Sequence, residues 1–354
     1  MSRNGHIFKN MMDIDEIQIH PSDSFESVNE TLYAKGFTDG LPVIPPTEDR
    51  IHAMLNGRDP DRVIVKLAPT QRDATLRKLA FCAVMAGCRT EYFPVLIAAV
   101  QAVAAPEFNL LGIQTTTGTA TPLILVNGPI VDRIGLNYGC NALGPGVRSN
   151  ATIGRSLALA LRNIGGAIPG RIDLATMGQP GKYTFCFAEN EAASPWEPLH
   201  VSRGFLKEQS AVTVVGASGT MEVKDDQSRT AEGVLKTFAK SIIPAGSLGG
   251  SALLGGGEPL LLLSPEHIRI VGREMTRSQA QQFIYDTARL PIEDLSPGAR
   301  KRLERTSYSS DTLRVAERPE HIMLAVVGGV GIKSTFVSTW AGTTRSVTRS
   351  IHEH

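Results

Sequence analysis

Pro122-Leu-Ile-Leu-Val-Asn-Gly-Pro129 decides the fold class. Its four apolar residues stand between turn formers, which is how a strand covered on both faces reads. A helical stretch follows from Ile130. Pro259-Leu-Leu-Leu-Leu-Ser-Pro265 repeats the pattern, with a helix from Glu266 to Arg273. Working outward, Asp61 to Pro69 reads as a strand and Ala74 to Ala86 as a helix. The order recurs as a strand over Ala211 to Val215 and a helix over Thr230 to Ile243. His321-Ile-Met-Leu-Ala-Val-Val327 adds a further strand. The expectation is an α/β protein: two related strand–helix–strand–helix lobes, near 61–140 and 211–290, with mainly parallel strands. A Gly/Asn-rich insert, 141–209, lies between them, with a helix at Ala151–Ile164 and a strand at Lys182–Ala188. The domain reading is an N-terminal arm and extended segment (1–60), a first lobe with its insert (61–208) and a second lobe (209–354). Thr47 is the expected cap of a helix running through Leu55.

Composition narrows the function classes. The 354 residues are 42% hydrophobic and 20% charged, enough for a sizeable core. Lys plus Arg number 36 against 35 Asp plus Glu, so no bulk charge draws the chain to nucleic acid or an anionic membrane. No apolar run reaches the roughly 18 residues of a membrane helix. Met1 to Glu16 lacks the apolar centre of a signal peptide. Four cysteines at this length fit reduced thiols in a cytoplasmic protein. No nucleotide-cofactor motif is present. Gly328-Gly-Val-Gly-Ile-Lys-Ser-Thr335 fails as a P-loop because Ile332 precedes the lysine, although Lys333 and Ser334 could still serve an anion-binding nest.

The densest chemistry is Glu189-Asn-Glu-Ala-Ala-Ser-Pro-Trp-Glu-Pro-Leu-His200. Glu189, Glu191 and His200 together suit acid–base work or a divalent metal, with Asn190 as a substrate contact. A Pro-fixed solvated loop is the bland alternative. His267, at a strand's carboxyl end and a helix start, is a second acid–base or metal candidate, weighed against an ordinary early-helix histidine. Asn141, Arg148 and Asn150 sit where a Gly-rich loop enters a helix. There Asn150 or Ser149 could cap the helix, and Arg148 beside a helix N-terminus suits an anion. Cys88 is the thiol candidate, although the end of a helix raises a thiol pKa and a buried structural role competes.

Several stretches together resemble a known family: Thr38-Asp-Gly-Leu-Pro-Val-Ile-Pro-Pro-Thr47, Val84-Met-Ala-Gly-Cys88 with Glu91-Tyr-Phe-Pro94, Asn141-Ala-Leu-Gly-Pro-Gly146, Pro180-Gly-Lys-Tyr-Thr-Phe-Cys186, Glu189-Asn-Glu191 with Ser194 to His200, Pro265-Glu-His267 and Ser346-Val-Thr-Arg349. The chain resembles a largely uncharacterised bacterial family often encoded beside, or fused to, a UGSC-type domain named for a Cys- or selenocysteine-Gly-Ser-Cys motif. The resemblance implies one component of a two-part enzyme whose thiol or selenol resides in a partner protein, since this chain has no Cys-Gly-Ser-Cys. It assigns no catalytic residue.

The reading that follows is an enzyme, or enzyme subunit, of the lyase or oxidoreductase type. It would cleave or reduce a carbon–heteroatom bond in a small anionic or carbonyl-containing substrate. Arg148 and the Asn150 helix start would hold the anion, and His267 or His200 would move a proton. Glu189 and Glu191 would orient the histidine, act as base or hold a metal. Asp39 would sit on an arm that wraps the pocket or a neighbouring subunit of an oligomer. The alternatives are a metal-dependent hydrolase or lyase acting alone, through His200, His267, Glu189 and Glu191, and a non-catalytic subunit of a two-component complex.

Overall fold

The computed structural model describes residues 13–20, 22–243, 257–305 and 308–352. The expectation for the first twelve residues therefore lies outside the described residues. The chain opens with helix α1 (Phe25–Ala34) and α2 (Glu48–Leu55). Thr47 holds the cap position of α2, but its hydroxyl makes no capping bond. Strands β1 (Val63–Leu67) and β2 (Arg72–Thr75) form a separate antiparallel hairpin. The apolar helices α3 (Leu76–Ala86) and α4 (Phe93–Val103) follow. Thr75 caps α3 by accepting from Lys78 N, and Gly87 ends it at φ 87°, a conformation glycine adopts freely. After them come α5 (Leu110–Thr115), β3 (Thr121–Asn127), α6 (Ile130–Arg133), α7 (Arg148–Asn163), β4 (Cys186–Ala188), α8 (Leu199–Ser202) and the long β5 (Ala211–Lys224).

The second part of the chain supplies α9 (Ala231–Ser241), β6 (Leu260–Leu263), α10 (Pro265–Glu274) and α11 (Arg277–Thr287). A small hairpin, β7 (Arg289–Pro291) with β8 (Thr312–Arg314), flanks α12 (Pro297–Leu303). The chain then returns to the main sheet as β9 (Met323–Val326), β10 (Lys333–Thr339) and β11 (Val347–Ser350).

The main sheet runs β4-β3-β5-β10-β6-β9, with β11 also paired to β5. Mainly parallel strands were expected. Among the described residues of this sheet only β3 with β4 and β6 with β9 are parallel, whereas β5 pairs antiparallel with β3, β10 and β11, and β10 with β6. The error has a physical source. A strand reads as a continuous apolar run whenever both its faces are covered, whatever its neighbour's direction. The cover here comes from helices on one side and from the sheet itself on the other.

Side-chain alternation makes that visible. Leu123 and Leu125 of β3 face an inner core with Phe187, Val215, Leu260, Leu262, Met323 and Ala325. Their neighbours Ile124 and Val126 face a second core with α3, α4 and α7. In the other half Leu261, Leu263, Leu324 and Phe336 face a third core with α9, α10 and α11. The sheet therefore curls until strands from its two ends share one interior. Asn190 N donates to Val326 O at 2.7 Å, and Gly328 N to Tyr138 O at 2.8 Å, joining the segments beyond β4 and β9. Residues 141–209 are not peripheral, because α7 and β4 both belong to cores. Among the described residues no single helix is long and apolar enough to cross a membrane.

Candidate functional site

Helix α7 carries Arg148, Arg155 and Arg162 at seven-residue spacing, which places them along one side of the helix. Each reaches a different part of the chain. Arg155 grips Asp39 with two bonds of 2.8 Å and also donates to Pro42 O at 2.9 Å. Arg162 Nε donates to Gly36 O at 3.2 Å, and Arg148 Nε to Gly87 O at 2.9 Å. Arg155 and Arg162 thus pin the 36–42 segment onto α7, and Asp39 belongs to this clamp.

Beside it opens a cavity of about 550 Å³. Leu157 and Leu161 of α7, Ile113 and Phe185 form apolar walls, and Met177 and Tyr183 also line it. Both carboxylates at the cavity are already neutralised, Asp39 by Arg155 and Asp173 by Lys182 at 2.5 Å. Arg162 is the cation with no carboxylate within ion-pair distance among the described residues. Burial lowers its guanidinium pKa, opposed by the charge of Asp39, yet an arginine stays charged at neutral pH. Gln114 also lines the cavity. Its amide donates to Ala68 O at 2.7 Å, while its buried Oε1 has no partner. Concave, largely apolar walls with a few convergent polar groups are the ordinary form of a small-molecule site.

The acidic cluster assembles in part, away from that cavity. Asn127 at the end of β3 donates to Glu189 Oε2 at 2.7 Å and to Glu191 Oε1 at 2.9 Å. Leu199 N adds a bond to Glu189 Oε2 at 2.8 Å, and Gly128 N one to Glu191 Oε1 at 2.8 Å. His200 Nδ1 lies 3.8 Å from Glu191 Oε1. Glu189 and His200 are buried, and among the described residues Glu189 Oε1, Asn127 Oδ1 and both His200 nitrogens have no hydrogen-bond partner. Desolvation pushes the Glu189 carboxyl above its ordinary range, and bonds from Leu199 and Asn127 and the charge of Arg277 only partly oppose this. The bonds tie the end of β3, the 189–191 loop and the start of α8 together. Asn190 serves the same loop, its side chain accepting from Ala193 N.

His267 does not join them. It is fully buried, with Nδ1 2.7 Å from Ser334 Oγ and Nε2 2.8 Å from Asp225 O. The Asp225 carbonyl can only accept, so Nε2 donates to it; in the neutral ring Nδ1 then accepts from the Ser334 hydroxyl, whose oxygen also accepts from Ser264 N at 2.9 Å. His267 does stand at a strand's carboxyl end, but both its nitrogens are committed beside the third core. Ser334 is therefore not part of an anion nest, and the exposed Lys333 pairs instead with Glu222 at 3.0 Å. Ser334→Ala should lower stability by about 2–4 kcal/mol in urea unfolding, because it orphans Ser264 N and His267 Nδ1. A loss under about 0.5 kcal/mol would show that the hydroxyl does not hold this junction.

The remaining candidates are also reassigned. Asn150 is buried, accepts from Asn137 N at 2.7 Å and donates to Asn137 O and Ala142 O. It staples the preceding loop rather than capping α7, whose N-cap is Val147. Ser149 likewise donates to Gly135 O. Asn141 adopts φ 58° and donates to Pro145 O, shaping its own turn. Burial pushes the Cys88 thiol up to about 11, Cys82 to about 12 and Cys186 upward as well. Cys140 is exposed. Iodoacetamide at pH 8 should therefore label Cys140 first, the partly exposed Cys88 far more slowly, and Cys82 and Cys186 only on unfolding, read peptide by peptide by mass spectrometry. Labelling of Cys88 as fast as Cys140 would restore it as a nucleophile.

Among the described residues no three His, Cys, Asp or Glu side chains are placed to hold one metal ion. The set His200, His267, Glu189 and Glu191 does not come together, because His267 is sequestered. The sequence matches no family model and no curated protein.

Proposed function

We propose that the chain is the substrate-holding component of an enzyme acting on a small organic carboxylate, bound in the cavity beside α7. One observation carries the reading: Arg162, a half-buried cation without a carboxylate partner among the described residues, lines a cavity of about 550 Å³ whose two carboxylates are already paired. A carboxylate there gains charge-assisted bonds in a partly desolvated site. The chemical step, cleavage or reduction of a carbon–heteroatom bond, rests on the family resemblance. So does the thiol- or selenol-bearing partner protein. The raised pKa values of Cys82, Cys88 and Cys186 and the paired state of Asp39 and Asp173 favour a reactive group that comes from elsewhere.

The test is calorimetric titration of the full chain with a panel of two- to eight-carbon carboxylates. Saturable binding that depends on Arg162 supports the reading, and no binding across the panel overturns it.

An internal duplication is proposed on separate grounds. The strand order is a palindrome, β4-β3-β5 against β9-β6-β10, with β3 and β6 in matching places. This pairs the Pro122 and Pro259 runs as expected but moves the unit boundaries. Strand β5 closes the first unit instead of opening the second, and β1 lies outside both.

A further inference from the structure

We propose that the hollow bounded by Arg50, Arg89 and Arg148 binds the phosphoryl group of a small phosphate monoester. This hollow, about 530 Å³, is lined by different residues from the carboxylate cavity. Three guanidinium groups and one carboxylate, Glu91, line it, leaving a net formal charge of +2. None of the three arginines has a carboxylate within ion-pair distance among the described residues. Arg50 Nη1 is anchored on Pro45 O at 2.8 Å and Arg148 Nε on Gly87 O at 2.9 Å. Each anchor uses one donor and leaves the rest of the fork free. The Arg89 side chain has no partner among the described residues.

Charge selects the ligand class. A monocarboxylate would leave one positive charge unanswered, whereas a phosphoryl group brings close to two negative charges and three acceptor oxygens at neutral pH. Guanidinium forks match those oxygens geometrically. Arg148 is also the first residue of a sixteen-residue helix whose N-cap, Val147, offers no side-chain acceptor, so the helix end adds to the positive field. Cys88 lines the hollow as a thiol held protonated, and so adds no negative charge at neutral pH. Size and walls select the rest of the ligand. The volume falls within the ~300–1,000 Å³ of small-molecule sites and exceeds what a bare phosphate needs. Ala53, Met54 and Val84 give it an apolar side.

The test titrates the full chain with phenyl phosphate and, separately, with inorganic phosphate. Phenyl phosphate should bind saturably and about tenfold more tightly than inorganic phosphate, because only the ester reaches the apolar wall. Binding should weaken with added salt and strengthen from pH 5 to pH 7 as the ligand loses its second proton. Arg89→Gln and Arg148→Gln should each weaken it about tenfold. Arg89→Gln removes no bond within the folded chain, so its far-UV circular dichroism should be unchanged. Failure of both ligands to bind saturably overturns the proposal, as does binding indifferent to both substitutions. Equal affinity for the two ligands overturns the ester assignment. None of these outcomes depends on the carboxylate cavity, which holds neither Arg89 nor Arg148.

Discussion

Arg162→Gln weakens binding of a small organic carboxylate by about tenfold to a hundredfold while leaving the fold intact. The magnitude follows from one or two charge-assisted hydrogen bonds, each worth about 1.5–3 kcal/mol in a partly desolvated site. The structural cost is small, because the side chain's own bond in the chain is a single 3.2 Å contact to Gly36 O. Its loss should cost about 1 kcal/mol or less. Arg155→Gln provides the contrast. It breaks both bonds to Asp39 and frees the 36–42 segment, so it should destabilise the chain measurably. Calorimetry against the best-bound carboxylate, with urea unfolding of each variant, reads both effects. An unchanged Kd in Arg162→Gln would remove the cavity as the substrate site.

A second large effect is expected in the dependence of stability on pH. Glu189 is buried and its folded-state pKa stands above the ordinary value of 4.5. Below that value both folded and unfolded chains hold the proton, and the group contributes no pH term. As pH rises past it, the unfolded chain releases the proton first. Stability then falls until pH passes the folded-state pKa, by roughly 1.4 kcal/mol for each unit by which folding raises it. Glu189→Gln keeps an acceptor for Asn127 and Leu199 and removes the titration. Its urea-unfolding profile should lose the descent and lie above that of the native chain at pH 8. Parallel profiles would mean that Glu189 ionises freely in the fold, and the buried-acid account would fail.

Two of the strand readings came directly from sequence because they are local. The apolar runs near Leu125 and Leu261 are too dense for surface segments, and both proved to be buried strands with a neighbour on each side. Strand direction was illegible because it depends on which strands meet. The meeting of β5 with β10 joins residues more than a hundred positions apart. The far half of β5 was missed because Ser218 to Lys224 mixes polar and apolar residues along a partly exposed face. His267 looked available because its own neighbours are a strand end and a helix start. What occupies it is Ser334, on another strand. The cavity was missed because its walls come from helix, strand and loop residues scattered over more than a hundred positions. The recurrence of arginine at 148, 155 and 162 was the available signal, since three cations along one side of a helix require partners.

The curled sheet also bears on how the chain is made. One edge of β5 is filled by β10 near its far end and by β11 near its start, both from residues 333–350. During synthesis β5 leaves the ribosome more than a hundred residues before the strands that cover that edge. Until they arrive, it presents unpaired backbone donors and acceptors beside an incomplete interior, the form in which chains pair with one another. A nascent chain of this kind depends on delay: its first half must be kept from its neighbours until its last strands are translated.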